Sequence, residues 1–250
     1  MDAYTGFASV YDDFMEDVPY DKWRDLIVRT LKEKGIEDGL VCELGAGTGE
    51  MTARLRDAGY DMIGVDNSEE MLGIARSKEG DSNEILYLCQ DMREFELYGT
   101  VRAVVSVCDS VNYITEYEDL VRVFKLVNNY LDPGGLFLFD FNTRHKYRDV
   151  IGDTTIAEDR DNASFVWENT YYPDEDINEY NITFFVKEEG SELFRRFKET
   201  HFQRGYTLSD IKKALKEAGL VFVSALDSET EDKADSASER IFVIAKEKGK

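Results

Sequence analysis

The sequence contains few of the residues that form disulfides and most transition-metal sites. Its three cysteines, Cys42, Cys89 and Cys108, are odd in number and show no C-x-x-C spacing. Its two histidines, His145 and His201, lie far apart in the chain. These features argue against a disulfide framework, a zinc knuckle and a histidine-rich metal site. We therefore expect no bound metal, although a site built only from carboxylates stays open.

Long hydrophobic runs are also missing. No stretch approaches the roughly 20 uninterrupted apolar residues that a membrane-spanning helix needs. The N-terminal stretch MDAYTGFASVYDDFMED is acidic and polar, unlike a signal peptide. We therefore expect a cytoplasmic protein that does not enter a membrane.

Basic residues are scarce relative to acidic ones. The chain has 30 lysines and arginines against 52 aspartates and glutamates, which gives a net charge of -22. Such a surface repels a phosphate backbone, so the charge argues against a nucleic-acid substrate without excluding a local basic patch. The simplest role of the excess negative charge is solubility.

The apolar residues alternate between short buried runs and helical faces. The runs LVCEL, DMIGVD, ILYLCQD, VRAVVSVCD and GGLFLFDFN predict strands, and amphipathic segments between most of them predict helices. Strands that are apolar throughout and alternate with helices are typical of a parallel sheet covered on both faces. We therefore expect a Rossmann-like α/β fold whose ligand binds at the carboxyl ends of the strands.

The pattern changes between about residues 144 and 205. The long, aromatic-rich runs ASFVWENTYY, NEYNITFFVKE and LFRRFKETHFQ predict antiparallel strands, which we interpret as an inserted lid or substrate subdomain. The amphipathic helix TLSDIKKALKEAGL, capped by Thr207 or Ser209, then leads to two last strands, VFVSAL and RIFVIAK. Residues 1–143 and 206–250 would thus form one domain with a mostly parallel, seven-stranded sheet.

The stretch VCELGAGTGEMTARL combines a strand, closely spaced glycines and the start of a helix. Closely spaced glycines let a backbone turn sharply and pass close to a ligand. A nucleotide P-loop would need lysine after its last glycine, but Gly49 is followed by Glu50. A dinucleotide fingerprint needs G-x-G-x-x-G, whereas Gly45, Gly47 and Gly49 are spaced G-x-G-x-G. The spacing therefore disfavours an NAD-dependent oxidoreductase.

The charges around this loop favour a cationic ligand. Glu43 and Glu50 flank the turn, and Asp91 and Asp109 end neighbouring strands, so a pyrophosphate would meet several carboxylates at a cost of several kcal/mol. S-adenosylmethionine carries a sulfonium and an ammonium and suits such a cleft. Asp66, about 20 residues beyond the glycines, is placed to accept hydrogen bonds from both ribose hydroxyls.

Several motifs in this order resemble those of class I S-adenosylmethionine-dependent methyltransferases. ELGAGTGEMT resembles their glycine-rich loop, GVDNSEEML the acidic turn after the second strand, and LCQDMREF the adenine-binding turn after the third. VVSVCDSVNYI resembles the end of their fourth strand, and DPGGLFLFDFN resembles their fifth strand. The stretches YTGFASVYDDF and HFQRGYTLSDIKKALKEAGL resemble the subgroup that methylates small molecules or sugars. Together they cover most of the chain except about residues 146–199.

The resemblance implies which residues hold the cofactor. The set comprises Tyr4, Tyr11, Glu43, Gly45, Ala46, Gly47, Asp66, Asn67, Met71, Asp91, Met92, Cys108 and Asp109. In it Asp66 binds the ribose, Asp91 accepts from the adenine amino group, and the Met92 backbone N–H reaches a ring nitrogen. Simpler roles stay open, since Glu43 or Asp109 could hold a turn, Met71 could pack in the core, and the tyrosines could pin the N-terminal segment.

The cofactor determines what catalysis requires. A sulfonium transfers its methyl group by in-line displacement and leaves as a neutral thioether, so no general acid is needed. A base is needed only if the acceptor must lose a proton, and His201 is then the candidate, although it could be an ordinary strand residue. Candidates for acceptor binding are Asn112, Tyr113, Arg204 and Tyr206, of which Arg204 and Tyr206 could instead form structural pairs.

The sequence thus predicts methyl transfer from S-adenosylmethionine to a small molecule, with S-adenosylhomocysteine as the product. Two alternatives stay open at this point, a protein that senses the cofactor without turnover and a methyltransferase of RNA or protein. The inserted sheet also offers an exposed edge that could pair two subunits into a homodimer. The sequence leaves open whether the methylated atom is oxygen, nitrogen or carbon.

Overall fold

The computed structural model describes residues 12, 14–15, 18–80, 82–188 and 190–250. The helices are α1 (Tyr20–Glu33), α2 (Glu50–Asp57), α3 (Glu69–Glu79), α4 (Tyr117–Tyr130) and α5 (Leu208–Glu217). The strands are β1 (Gly39–Leu44), β2 (Tyr60–Asp66), β3 (Ile85–Cys89), β4 (Val101–Ser106), β5 (Leu131–Asn142), β6 (Thr155–Asp159), β7 (Ala163–Tyr172), β8 (Ile177–Lys187), β9 (Phe194–Arg204), β10 (Val221–Asp227) and β11 (Arg240–Lys246). Two single turns of helix, Ser110–Tyr113 and Lys146–Ile151, complete this part of the chain.

Seven strands form the main sheet in the order β10-β11-β5-β4-β1-β2-β3. Strands β1 to β5 are parallel, and β11 runs antiparallel to both of its neighbours. The order reverses between β1 and β4, and ligands bind at the carboxyl ends of strands at such a reversal. The predicted fold class, a Rossmann-like mostly parallel sheet with a separate antiparallel sheet, is confirmed.

Both faces of the main sheet are buried, which explains why its strands are apolar at successive positions. On β1, Val41 belongs to the apolar cluster that includes α1, α2 and α3, whereas Cys42 belongs to the cluster of α4 and α5. On β4, Ala103 and Val104 divide in the same way. Each fully buried valine or leucine contributes about 1.5–3 kcal/mol, so the two clusters hold the helices against the sheet.

The helices that cover the sheet are amphipathic and of ordinary length. The buried face of α1 includes Trp23, Leu26, Ile27 and Leu31, which recur at the three- and four-residue spacing of a helix. Helix α5 begins at a capping box, in which Thr207 and Asp210 each accept a hydrogen bond from the other's backbone N–H. None of the helices in the described ranges combines the length and apolar character needed to cross a membrane.

A second, antiparallel sheet of strands β6 to β9 interrupts the main fold between β5 and α5. The sequence pattern predicted β7, β8 and β9 but missed β6, because TIAED is short and largely exposed on both faces. The chain leaves and re-enters the main fold at one place. Thr143 pairs with Tyr206 in a parallel bridge, and the Arg144 N–H donates to the Tyr206 carbonyl at 3.0 Å.

Candidate functional site

A cavity of about 480 Å³ lies at the carboxyl ends of β1 to β4. Its walls come from the four turns that follow these strands, and Tyr20 at the start of α1 adds a further side chain. The volume is in the range of pockets that enclose a small ligand or cofactor. The position is the one that the strand order predicts.

The glycine-rich turn after β1 forms one wall through its backbone. Gly45 and Gly49 have φ values of +76° and +81°, a left-handed conformation that strains other residues. A Cβ atom on Gly45 would lie 2.3 Å from Oγ of Ser110, and one on Gly49 would lie 2.5 Å from the Tyr87 hydroxyl oxygen. The turn is therefore packed so closely against its neighbours that side chains are excluded at these two positions.

Asp66 ends β2 and lines the cavity. Its Oδ2 accepts a hydrogen bond from the Gly47 N–H at 2.8 Å, and its Oδ1 accepts from the Ser68 N–H at 2.8 Å. Burial raises the pKa of this carboxyl group, and the backbone donors oppose that shift. A carboxylate oxygen has two lone-pair directions, so each oxygen can still accept a hydrogen bond from a ligand hydroxyl.

Glu43 is the most buried carboxyl group at the cavity, with 2% of its surface exposed. Burial raises its pKa to about 8, the Thr52 hydroxyl opposes the shift by donating a hydrogen bond, and the nearby Asp66 charge adds to it. In the free protein Glu43 therefore holds a proton at neutral pH. A cation in the cavity would favour its ionised form.

The turns after β3 and β4 form the remaining walls. Both oxygens of Asp91 lie 3.0 Å from Nε of Arg93, which lowers the pKa of this carboxyl group. Cys108 adopts a left-handed conformation with φ of +60°, and burial raises the pKa of its thiol to about 12. Cys108 therefore contributes a neutral thiol to the wall.

Most of the predicted cofactor residues lie around this one cavity. The structure places there Glu43, Gly45, Ala46, Gly47, Asp66, Asn67, Met71, Asp91, Met92 and Cys108. Asp109 instead forms an ion pair with Arg240 at 2.7 Å, and Arg240 also pairs with Asp140 at 2.9 Å. Tyr4 and Tyr11 lie outside the described residues.

The structure brings together Tyr113, a residue predicted to bind the acceptor, and His201, the residue predicted as the candidate base. Tyr113 lines the cavity, and its hydroxyl oxygen lies 3.3 Å from Nδ1 of His201. Nε2 of His201 lies 3.2 Å from a carboxylate oxygen of Glu199. Glu199 was not predicted from the sequence, although its spacing from His201 puts both side chains on one face of β9.

The other three acceptor candidates make structural contacts. Asn112 donates to the Arg204 carbonyl at 2.7 Å, Arg204 donates to the Thr115 carbonyl at 2.6 Å, and the Tyr206 hydroxyl donates to the Ile114 carbonyl. These bonds join the turn after β4 to the end of β9. Among the described residues that line the cavity, none is one of these three.

Comparison with known proteins identifies the family. Residues 41–135 match the methyltransferase domain family. YqeM of Bacillus subtilis, a protein that is described as a methyltransferase, is 38% identical over 97% of this chain and 96% of its own length. The crystal structure of an S-adenosylmethionine-dependent methyltransferase from Clostridium acetobutylicum is 33% identical, with a TM-score of 0.87 over 97% of this chain and 98% of its own. The chain belongs to the class I S-adenosylmethionine-dependent methyltransferases.

A more distant solved structure has the same fold with the cofactor bound. CalS10 of Micromonospora echinaspora, an amino pentose methyltransferase, is 14% identical, with a TM-score of 0.76 over 99% of this chain and 98% of its own. As a member of this family, the protein described here uses S-adenosylmethionine as its cofactor. Both predictions, the family and the cofactor, are confirmed.

The charges of this methyltransferase's cavity fit a cationic cofactor. Six of the described lining residues carry carboxyl groups, Glu43, Glu50, Asp66, Glu69, Glu70 and Asp91, against one basic residue, Arg93. Tyr20, Ser110 and Gln90 also line the cavity but were not predicted. Ser110 and Gln90 lie within the quoted motifs VVSVCDSVNYI and LCQDMREF, whereas nothing in the local sequence marks Tyr20. No three or more His, Cys, Asp or Glu residues of the described ranges are grouped so as to hold a metal ion.

Proposed function

We propose that this methyltransferase transfers the methyl group of S-adenosylmethionine to a small-molecule acceptor by in-line displacement. The observation that carries the proposal is the cavity at the carboxyl ends of β1 to β4, where carboxyl groups outnumber basic side chains six to one. Such a wall attracts the sulfonium and ammonium of the donor and repels phosphate.

The donor is held by groups from three turns in this proposal. The two oxygens of Asp66 accept hydrogen bonds from the ribose hydroxyls, because each already has only one backbone donor. The backbone around Ala46 faces the methionyl part, where close packing leaves no room for larger loop residues. Asp91 and the Met92 N–H bind the adenine, and Glu43 balances the positive charge.

The acceptor is proposed to be a small molecule held between the main fold and the inserted sheet. Residues 1–143 and 206–250 would serve the donor, and residues 144–205 the acceptor. Support comes from the negative net charge of -22, which disfavours nucleic acid, and from the buried polar face of β9 that meets the turn after β4. CalS10, which is described as an amino pentose methyltransferase, and KedS8, which is described as a sugar N-methyltransferase, share the fold.

Methyl transfer mainly requires that the acceptor atom be aligned with the methyl group of the donor. The sulfonium supplies an activated methyl group and leaves as a neutral thioether, so the protein need not protonate a leaving group. Holding the acceptor atom in line with the sulfur–methyl bond in a site that excludes water provides much of the acceleration. The protein's contribution is therefore donor binding, acceptor positioning and, for an acceptor that must lose a proton, a group that takes the proton.

The test is to incubate the protein with methyl-labelled S-adenosylmethionine and separate fractions of cell metabolites, RNA and protein. We expect label in the small-molecule fraction, and about 10-fold less label when the variant Asp66→Ala replaces the wild type at a donor concentration below the wild-type Kd. Label in the RNA or protein fraction would contradict the small-molecule proposal. Binding of S-adenosylhomocysteine without label in any fraction would favour a protein that senses the cofactor.

A further inference from the structure

We propose that Tyr113 accepts the proton of the methyl acceptor and passes its own proton to His201, which Glu199 holds in place. This inference rests on the proposed function and adds to it the chemical class of the acceptor. Tyr113 would be the catalytic residue, since it lines the cavity, and His201 and Glu199 would act through it.

The three side chains come from two different parts of the fold. Tyr113 ends the helical turn after β4, and Glu199 and His201 lie two residues apart on β9 of the inserted sheet. The Tyr113 and His201 rings meet edge to face, with their centroids 5.9 Å apart. The relay therefore crosses the boundary between the donor-binding turns and the inserted sheet, where we expect the acceptor.

The hydrogen-bond partners determine the tautomer of His201. A carboxylate can only accept, so Nε2, which lies 3.2 Å from Glu199, must carry the ring proton. Nδ1 is then left with a lone pair that faces the Tyr113 hydroxyl at 3.3 Å. Tyr113 therefore donates to His201, and its oxygen lone pairs can accept from an acceptor molecule. Such bonds are often long in a free enzyme and shorten when substrate binds.

Burial isolates this arrangement from bulk water. His201 is 3% exposed and Glu199 is 7% exposed, whereas Tyr113 reaches the cavity. A proton that leaves an acceptor in the cavity can therefore reach the imidazole through the Tyr113 oxygen. A buried histidine and glutamate add little to stability compared with apolar residues of the same size, so a role in proton transfer explains them better.

The proposed step balances in atoms and charge. A lone pair on the acceptor's oxygen or nitrogen forms a bond to the methyl carbon while the carbon–sulfur bond breaks and its electron pair goes to sulfur. The acceptor's proton moves to the Tyr113 oxygen, and the Tyr113 proton moves to Nδ1 of His201. The positive charge of the sulfonium thus ends on the imidazolium, next to the Glu199 carboxylate. The acceptor is accordingly a hydroxyl or an amine.

The arrangement can be tested without knowing the acceptor. Nitrogen NMR of the imidazole rings is readily assigned because the chain has two histidines, and His145→Gln removes the other set of signals. We expect His201 to show the Nε2–H tautomer and its Nδ1 signal to move in Tyr113→Phe, while the His145 signals stay in place. An Nδ1–H tautomer of His201, or an Nδ1 signal that does not move in Tyr113→Phe, would overturn the relay.

The catalytic role is tested with the small-molecule fraction that the wild type labels. We expect Tyr113→Phe to lower kcat by about 100-fold or more, the range of general-base effects, while the Kd of S-adenosylhomocysteine stays within about twofold. The matched control is Tyr98→Phe, which removes a hydroxyl from an exposed side chain outside the inserted sheet and away from this cavity and should leave kcat unchanged. Wild-type kcat in Tyr113→Phe would refute the relay, whereas wild-type protein that labels nothing would refute the proposed function.

The Glu199 carboxyl group provides a second test that separates the relay from a purely structural role. We expect Glu199→Gln to lower kcat by about 10-fold while the Kd of S-adenosylhomocysteine stays within about twofold, because the imidazolium that forms during the reaction loses a charge-assisted hydrogen bond. Wild-type kcat in Glu199→Gln would contradict the relay.

Discussion

The carboxylate of Asp66 accepts a hydrogen bond from the backbone N–H of Gly47 at 2.8 Å. The bond joins the end of β2 to the glycine-rich turn after β1, two segments that we assign to the ribose and to the methionyl part of the cofactor. A second backbone donor, the Ser68 N–H, fixes the other carboxylate oxygen at the same distance. The carboxylate is thus oriented before the cofactor arrives, which reduces the cost of binding.

Removing this carboxylate should weaken donor binding. We expect Asp66→Ala to raise the Kd of S-adenosylmethionine by about 10-fold or more, because two charge-assisted hydrogen bonds to the ribose are lost. Isothermal titration calorimetry measures the change. The control is Asp61→Ala on the same strand, whose exposed carboxylate lies away from this cavity and should leave the Kd unchanged. An unchanged Kd in Asp66→Ala would remove Asp66 from the site.

The close packing of Gly45 should make even a methyl group harmful. In Gly45→Ala the new Cβ would meet Oγ of Ser110 at 2.3 Å, and the left-handed backbone adds about 1–2 kcal/mol of strain. We expect a lower melting temperature and weaker S-adenosylhomocysteine binding, with partial recovery in the double variant Gly45→Ala/Ser110→Gly. Gly73→Ala is the control, because this helical glycine has open space around it. Wild-type binding by Gly45→Ala would contradict the close-packed wall.

Cofactor binding should release a proton from Glu43. Its pKa of about 8 in the free protein means that it is protonated at neutral pH, and a bound sulfonium favours the carboxylate. The affinity for S-adenosylmethionine should therefore increase as the pH rises towards 8 and then level off. Calorimetry in buffers of different ionisation enthalpy counts the protons, and Glu43→Gln should remove this release. Equal proton release in both proteins would show that another group is responsible.

The same pKa shift should make the free protein less stable as the pH rises. The Glu43 carboxyl group ionises at about 4.5 when unfolded and at about 8 when buried. Its contribution is therefore fully present below pH 4.5 and is lost as the pH rises through 8. Urea unfolding at several pH values measures the effect: between pH 4.5 and 8 the free energy of unfolding of the wild type should fall relative to that of Glu43→Gln. A difference between the two proteins that does not change with pH would show that Glu43 does not titrate in this range.

The largely buried arginine at the start of β11 should be important for stability. Arg240 pairs with Asp109 and Asp140, so Arg240→Met would leave the buried Asp140 carboxylate and the partly buried Asp109 carboxylate without their cation. We expect the free energy of unfolding to fall by about 3–5 kcal/mol, with partial recovery when Asp140→Asn is added. Arg24→Met, which breaks exposed pairs on α1, should cost less than about 1 kcal/mol. Equal costs would contradict the role of burial.

The sequence predicted the main sheet because each of its strands is marked by local apolar runs. The strand predicted from VRAVVSVCD, however, ends at Ser106 in the structure. Cys108 and Asp109 take left-handed conformations that an apolar run does not reveal. Strand β6 and the helical turn Lys146–Ile151 were missed for a related reason, since their residues show neither alternation nor a helical face.

The site could be predicted only where it is built from contiguous motifs. Residues of the turns after β1, β2 and β3 adjoin their strands in the sequence, so strand order alone brings them together. Glu199 and Arg240 reach their partners from distant segments through tertiary packing, which periodicity cannot reveal. Asp109 is the opposite case. Its position after β4 predicted a side chain in the cavity, but the ion pair with Arg240 holds its carboxylate away from the cavity.

The bridge between Thr143 and Tyr206 brings together the two ends of the segment that forms the four-stranded sheet, so this sheet is an insertion with adjacent ends. Because its two ends meet, a segment of another length or shape can replace it without moving the strands that carry the donor turns. Under our proposal that residues 144–205 hold the acceptor, exchanging this single contiguous stretch would alter what is methylated. A chimaera in which a relative's inserted sheet replaces this one between Thr143 and Tyr206 should still use S-adenosylmethionine but methylate a different acceptor.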